Sequence, residues 1–302
     1  MEEINNNIYK GNSLFKIKSK YIWIQIFENL KQNKLLDIIR YNKKLKRKLN
    51  KKKVDYIKEY SKIVIEIIPM ENSSGDFINI ADKYKPYFHI YFNDDYNKEI
   101  KKTYFQKSDK VSKIRIIIDY KVKSLFKLFN FAHNIRIINF IKFNINNITN
   151  MSHMFYNCFS LERINFFNIN TGKVTNMNNM FSGCSSLKEL NLSNFNTENV
   201  KDMRFMFWGC RSLKMLDISN FNTNNLTYFR GMFTGCSSLK ELDISNFITN
   251  NIKDIFYMFS LQLSFKLKCS DELKNIFRAK YPNIIFLPES ILPGKATSFS
   301  LS

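Results

Sequence analysis

The stretch CSSLKELNLSNFNTENVKDMRFMFWGC, Cys184–Cys210, decides the architecture of this chain, because its pattern returns every 26 residues. A Met-Phe pair marks the period at Met154-Phe155, Met180-Phe181, Met206-Phe207, Met232-Phe233 and Met258-Phe259. After four of these pairs a cysteine follows three residues beyond the Phe: Cys158, Cys184, Cys210 and Cys236. A fixed period of roughly 20–50 residues is the mark of a solenoid, whose units cannot bury an apolar face alone and must stack on their neighbours.

Within one unit the apolar positions fall into two groups. Leu187, Leu190, Leu192 and Phe195 have copies at Leu213, Leu216, Ile218 and Phe221, and at Leu239, Leu242, Ile244 and Phe247. Earlier copies are Ile135, Ile138, Phe140 and Phe143, then Leu161, Ile164, Phe166 and Ile169. The alternation at Leu190 and Leu192 predicts a short strand with both side chains inward. Val200, Met203, Met206, Phe207 and Cys210 are then spaced by threes and fours, which predicts a short helix with one apolar face. Asn157, Gly183, Gly209 and Gly235 precede the cysteines, and these residue types tolerate the left-handed conformation that closes a helix. Thr171, Thr197, Thr223 and Thr249, with Asn147, Lys173, Asn199, Asn225 and Asn251, are repeated polar positions suited to satisfying backbone groups at bends. A degenerate copy at Val122, Leu125, Leu128 and Phe129 extends the array toward Ile114. Leu261 and Gln262 stand where Gly and Cys recur, so the array ends there.

The string CSSLKELNLSNFNT, residues 184–197, and its in-register copies resemble the BspA-like class of leucine-rich repeats over about residues 114–262. The resemblance implies an α/β leucine-rich repeat solenoid of about five 26-residue units. It also implies a role in adhesion or partner binding, since relatives of this class are mostly surface proteins of bacteria and protists. A cell-surface adhesin is therefore one functional expectation. The chain departs from that class in showing no signal peptide or wall anchor, so the sequence itself points to the cytoplasm.

The rest of the chain reads as flanking structure. Residues 1–62 form a basic helical region with 17 Lys/Arg against 6 Asp/Glu, net +11 of the chain's +21. In it, Ile22, Ile26, Phe27, Leu30, Leu35 and Ile39 loosely resemble an F-box, without its usual Leu-Pro entry. That resemblance implies a substrate receptor of a ubiquitin ligase. Residues 63–113, with strand-like runs at Ile63–Ile68 and Tyr87–Phe92, are expected to form a small β-rich cap. After the repeats, 263–288 should form a C-terminal cap, with Ser270 as N-cap of a helix stopped by Pro282, and 289–302 a flexible tail.

The chemistry-bearing residues point away from an enzyme. The cysteines never occur as C-x-x-C, and the three histidines, His89, His133 and His153, share no metal or catalytic spacing. Buried free thiols, no metal, no cofactor and no small-molecule substrate are the expectation. No apolar run is long enough to span a bilayer, so membrane insertion is not expected. Arg40–Lys53 holds nine basic residues in fourteen, but the repeats carry no matching register of aromatic and basic residues, so nucleic acid is not expected either. What remains is a protein partner. Its candidate contacts are the outward strand positions Arg163, Phe167, Glu189, Asn191, Met215, Asp217, Glu241 and Asp243, acidic toward one end. Trp208, beside Phe205, is a second exposed candidate.

Overall fold

Short strands and tight turns alternate because the backbone bonds run sideways between repeats. In the computed structural model, residues 61–248, 257–259 and 265–287 are described; from Ile63 onward they belong to one unit, Ile63–Ser302. The basic region with its F-box-like pattern, the repeat positions Thr249, Asn251, Leu261 and Gln262, and the tail lie outside the described residues.

The first part is a sheet that continues into the repeats. Its strands are β1 (Lys62–Pro69), β2 (Gly75–Asp76), β3 (Phe88–Phe92), β4 (Tyr104–Phe105), β5 (Ile114–Asp119), β6 (Ile135–Phe143) and β7 (Arg163–Phe166). The main sheet has the order β3-β5-β1-β6-β7, and β2 and β4 form a separate pair. β1 runs antiparallel to β6, and β6 runs parallel to β7, so the solenoid's first strand has a partner on both sides. β5 pairs with β3, so the run from Ile114 belongs to this capping sheet and stacking starts at the turn segment beginning near Val122.

The repeats then stack with β8 (Glu189–Asn191), β9 (Met215–Asp217) and β10 (Glu241–Asp243) as successive strands. β8 and β9 are parallel, with Leu190 opposite Leu216. On the far side of each repeat a second parallel ladder runs through Ser124, Asn150, Asn176, Asp202 and Tyr228. The result is a β-solenoid of about five turns of about 26 residues, mostly sheet with few helices.

The short helix expected after each strand is absent from the described repeats. Met151, His153, Phe155 and Asn157 donate their N–H groups to Asn176, Asn178, Met180 and Ser182 of the next repeat, at 2.7–3.0 Å. Those donors are therefore not used for i→i−4 helix bonds. The residues between them close tight turns: Met154 N–H to Met151 O at 3.3 Å, and Cys158 N–H to Phe155 O at 3.2 Å. Each such turn has positive φ at its third residue, as a type II turn requires. The residues at 127, 153, 179, 205, 231 and 257 all have φ between 53° and 65°, and those at 131, 157, 183, 209 and 235 between 56° and 79°. The left-handed position expected before each cysteine is therefore real, but it shapes a turn and closes no helix.

The Met-Phe pairs line the interior. Neighbouring residues of an extended strand point to opposite faces, whereas the turn lets both Met and Phe of each pair face inward, at most 2 % exposed from Met154-Phe155 to Met258-Phe259. Phe129, Phe155, Phe181, Phe207, Phe233 and Phe259 stack with centroids 5.4–5.8 Å apart and planes within 13°. Offset stacking contributes about 0.5–1.5 kcal/mol per pair beyond the area buried.

At the far end β11 (Lys266–Lys268) and β12 (Ile285–Phe286) continue the sheet beside β10, joined by α1 (Asp271–Arg278). Ser270 Oγ accepts the Leu273 N–H at 3.4 Å, and Asp271 and Glu272 lie in the first turn, where they favour the helix dipole. Phe265, Phe277 and Tyr281 pack around Phe259 and close the aromatic column.

Candidate interaction surface on the strand face

Inward and outward residues alternate along each strand, so the outward ones form columns across the repeats. Arg163 lies opposite Ile137 and Asn165 opposite Asn139; Glu189 lies opposite Met215 and Asn191 opposite Asp217. The inward neighbours Ile164, Leu190, Leu216 and Leu242 are buried. Eight of the nine candidate contacts thus share the strand face. Trp208 does not: it is exposed on the turn side, between Phe205 and Gly209.

The columns differ in what their side chains already do. Asn191 Oδ1 accepts from the Ser193 N–H at 3.0 Å and its hydroxyl at 2.7 Å. Asp217 Oδ1 accepts from the Ser219 N–H, and Asp243 Oδ1 from the Ser245 N–H and hydroxyl. These bonds to the residue two positions on fix the bend after each strand. Asn191, Asp217 and Asp243 are therefore engaged in folding. The column Arg163, Glu189, Met215, Glu241 carries no such duty. Arg163 Nε stands 3.9 Å from Glu189 Oε1, while Met215 is 64 % exposed and Phe167, at the strand's end, 62 %.

The acidic end is shorter than the sequence suggests. β11 places Lys266 opposite Glu241 and Lys268 opposite Asp243. The buried Lys268 ammonium reaches Asp243 Oδ2 at 3.3 Å. Burial pushes the Asp243 carboxyl up, but the bonds from Ser245 and the charge of Lys268 outweigh it and hold the acid below its ordinary value. Sequence reasoning missed these lysines because Lys266 follows Glu241 by 25 residues, one short of the period.

The interior offers little chemistry. Burial pushes the Cys158 and Cys236 thiols up to about 12, and Cys184 and Cys210 well above the usual value. Each of the four donates from Sγ to a backbone carbonyl 29 residues earlier, at 2.8–3.2 Å. Among the described residues no group of three or more His, Cys, Asp or Glu side chains could hold a metal ion, and no helix is long and apolar enough to cross a membrane.

Fold and surface together define a β-solenoid repeat protein with a constant interior and a variable strand face. The chain belongs to the family described as Mycoplasma protein of unknown function, DUF285, whose pattern matches residues 123–216 and again 190–280, together just over half of the chain. No curated protein and no solved structure matches it.

Proposed function

We propose that the array is a non-enzymatic scaffold that binds another protein through its strand face, and that its units are leucine-rich repeats of the BspA-like kind. The L-x-x-L-x-L spacing at Leu187, Leu190 and Leu192 supports the repeat assignment. One observation carries the function: Met215 and Phe167 are large, apolar and mostly exposed on a strand face whose inward positions hardly vary. An apolar anchor ringed by charges is the composition of an interface centre with its rim. Arg163, Glu189 and Glu241 supply the rim, and Lys266 bounds it.

The test is a photo-crosslinking residue placed in cells at Met215, at Phe167, and at the bend residue Lys173 as control. The same protein should be captured from the first two positions and not from the third, and Met215→Glu should abolish capture from Phe167. Capture that is equal at all three positions would overturn the reading. So would a catalytic turnover of the purified chain that one point substitution removes.

A further inference from the structure

The turn side of the first repeats carries a feature that the strand face does not. Six rings form a continuous chain across two neighbouring repeats. Phe126 meets His153 edge to face at 5.8 Å, His153 meets Tyr156 at 5.3 Å, and Tyr156 meets Phe131 at 5.4 Å. Phe131 then meets His133 at 5.8 Å, and His133 lies flat on Phe159 at 4.0 Å. Phe126, Phe131 and Phe159 are 46 %, 50 % and 48 % exposed. Three of the six, Phe131, His133 and Phe159, break the repeat's own rule. One period apart, the column of His133 and Phe159 continues as Ser185, Arg211 and Ser237, with no further ring. The column of Phe131 continues as Asn157 and then as Gly183, Gly209 and Gly235.

The sequence that carries the first of these rings is basic. Between Asp119 and Glu162 the chain contains no carboxylate, while it holds Lys121, Lys123, Lys127, Arg136 and Lys142. The Lys127 ammonium stands 5.1 Å from the centroid of Phe126. Asp202, which acts on His153, is engaged by Arg204 at 2.7 Å and by Asn178 at 3.2 Å.

We propose that this aromatic wall is a second docking surface, and that its partner is an acidic peptide segment carrying an aromatic or large aliphatic anchor. Exposed contiguous apolar surface marks interaction sites, and the Lys127 ammonium beside Phe126, in a stretch with no carboxylate from 120 to 161, favours acidic segments over basic ones. Single-stranded nucleic acid fits less well. Base stacking needs open ring faces, whereas His133 and Phe159 each cover one face of the other and Phe126 and Phe131 meet their neighbours edge to face. The rings are different residues from the strand-face candidates, so the two proposals can fail independently.

The test is selection of a random 12-residue peptide display library on the full chain, with counter-selection on a Phe131→Asn/Phe159→Ser double variant. Both substitutions install residue types that other repeats hold at those positions, Asn157 and Ser185, and an unchanged urea midpoint verifies the fold. Enriched peptides should combine Asp or Glu with an aromatic or large aliphatic residue. Their synthetic forms should bind the double variant about tenfold more weakly, the loss expected for removing anchor rings. Lys127→Asn should also weaken them, while Met215→Glu should leave their affinity unchanged. Enrichment of basic or uncharged peptides, no enrichment, or equal binding by the double variant overturns the proposal. So does a (dT)20 oligonucleotide that binds the wild-type chain more tightly than the selected peptides and loses affinity in the double variant.

Discussion

Single residues set the geometry of the turns, and two of them give direct tests. Gly183 has φ +77°, and an added Cβ would stand 2.0 Å from Asn157 Oδ1 and 3.1 Å from Asn157 Cα. Gly183→Ala therefore combines a left-handed backbone, costing about 1–2 kcal/mol, with a clash against the preceding repeat. It should destabilise the chain by about 2 kcal/mol or more in urea unfolding. Gly172 has no positive φ, and its nearest neighbour would be Asn170 Oδ1 at 3.5 Å. Gly172→Ala should change stability by less than about 1 kcal/mol. His153 gives a pH test. Burial first, and then the charge of Lys127, hold its imidazole below the usual 6.5, against a smaller opposite pull from Asp202. The unfolded chain takes up this proton near pH 6.5 and the folded chain only at lower pH. The unfolded state thus binds more protons in that window, and stability falls as pH drops from about 6.5 through the lowered value. The urea midpoint of the wild type should fall more between about pH 7.5 and 5.5 than that of His153→Asn. The new side chain suits the same backbone, as Asn179 does.

Elements are held by bonds that recur between successive repeats. Thr197 Oγ1 donates to Asn222 O at 3.0 Å and accepts the Asn222 N–H at 2.8 Å. Thr171 does the same with Asn196, and Thr223 accepts the Ile248 N–H. Asn199 and Asn225 donate to Gly172 O and Glu198 O. Thr197→Val keeps the shape and removes both bonds of a buried hydroxyl, so it should cost about 1–3 kcal/mol in urea unfolding. These polar positions were legible in the sequence because they recur with the period and face bends. The strands at Leu190 and Leu216 were legible for the same reason, through their alternation. The turn segments were not. Stacked turns place apolar side chains inward at the same spacings as a helix, so Met203, Met206, Phe207 and Cys210 fit either. What separates them is where the N–H groups go, and only neighbouring repeats settle that. A second left-handed position does leave a trace at Asn179 and Gly231, but Lys127, His153, Phe205 and Tyr257 obscure it. On the strand face the columns were legible, whereas the 25-residue step that brings Lys266 and Lys268 beside them was not.

At the largest scale the described repeats form a stack in which each unit contacts its neighbours, so their stability is a sum over units and the junctions between them. That makes chain length adjustable in steps of one period and no other. Removing Leu187–Ser212, 26 residues, joins Ser186 to Leu213 and restores the local sequence pattern. Phe181 then meets Phe233, Thr197 goes with the deleted repeat, and Thr171 meets Asn222. The aromatic column, the thiol column and the bends all find equivalent partners. This variant should fold cooperatively, with a urea m-value lower by about a tenth, in proportion to the 26 residues removed from Ile63–Ser302. Removing Leu187–Asn199 instead, half a period, sets turn residues beside strand residues. The inward Met-Phe pairs would then face neighbours that offer neither a stacking ring nor a carbonyl in register. That variant should lose the cooperative transition, and circular dichroism with urea titration distinguishes the two results. If both deletions unfold alike, the repeats are not interchangeable and the one-dimensional account fails. If both fold, the 26-residue register does not determine the stack.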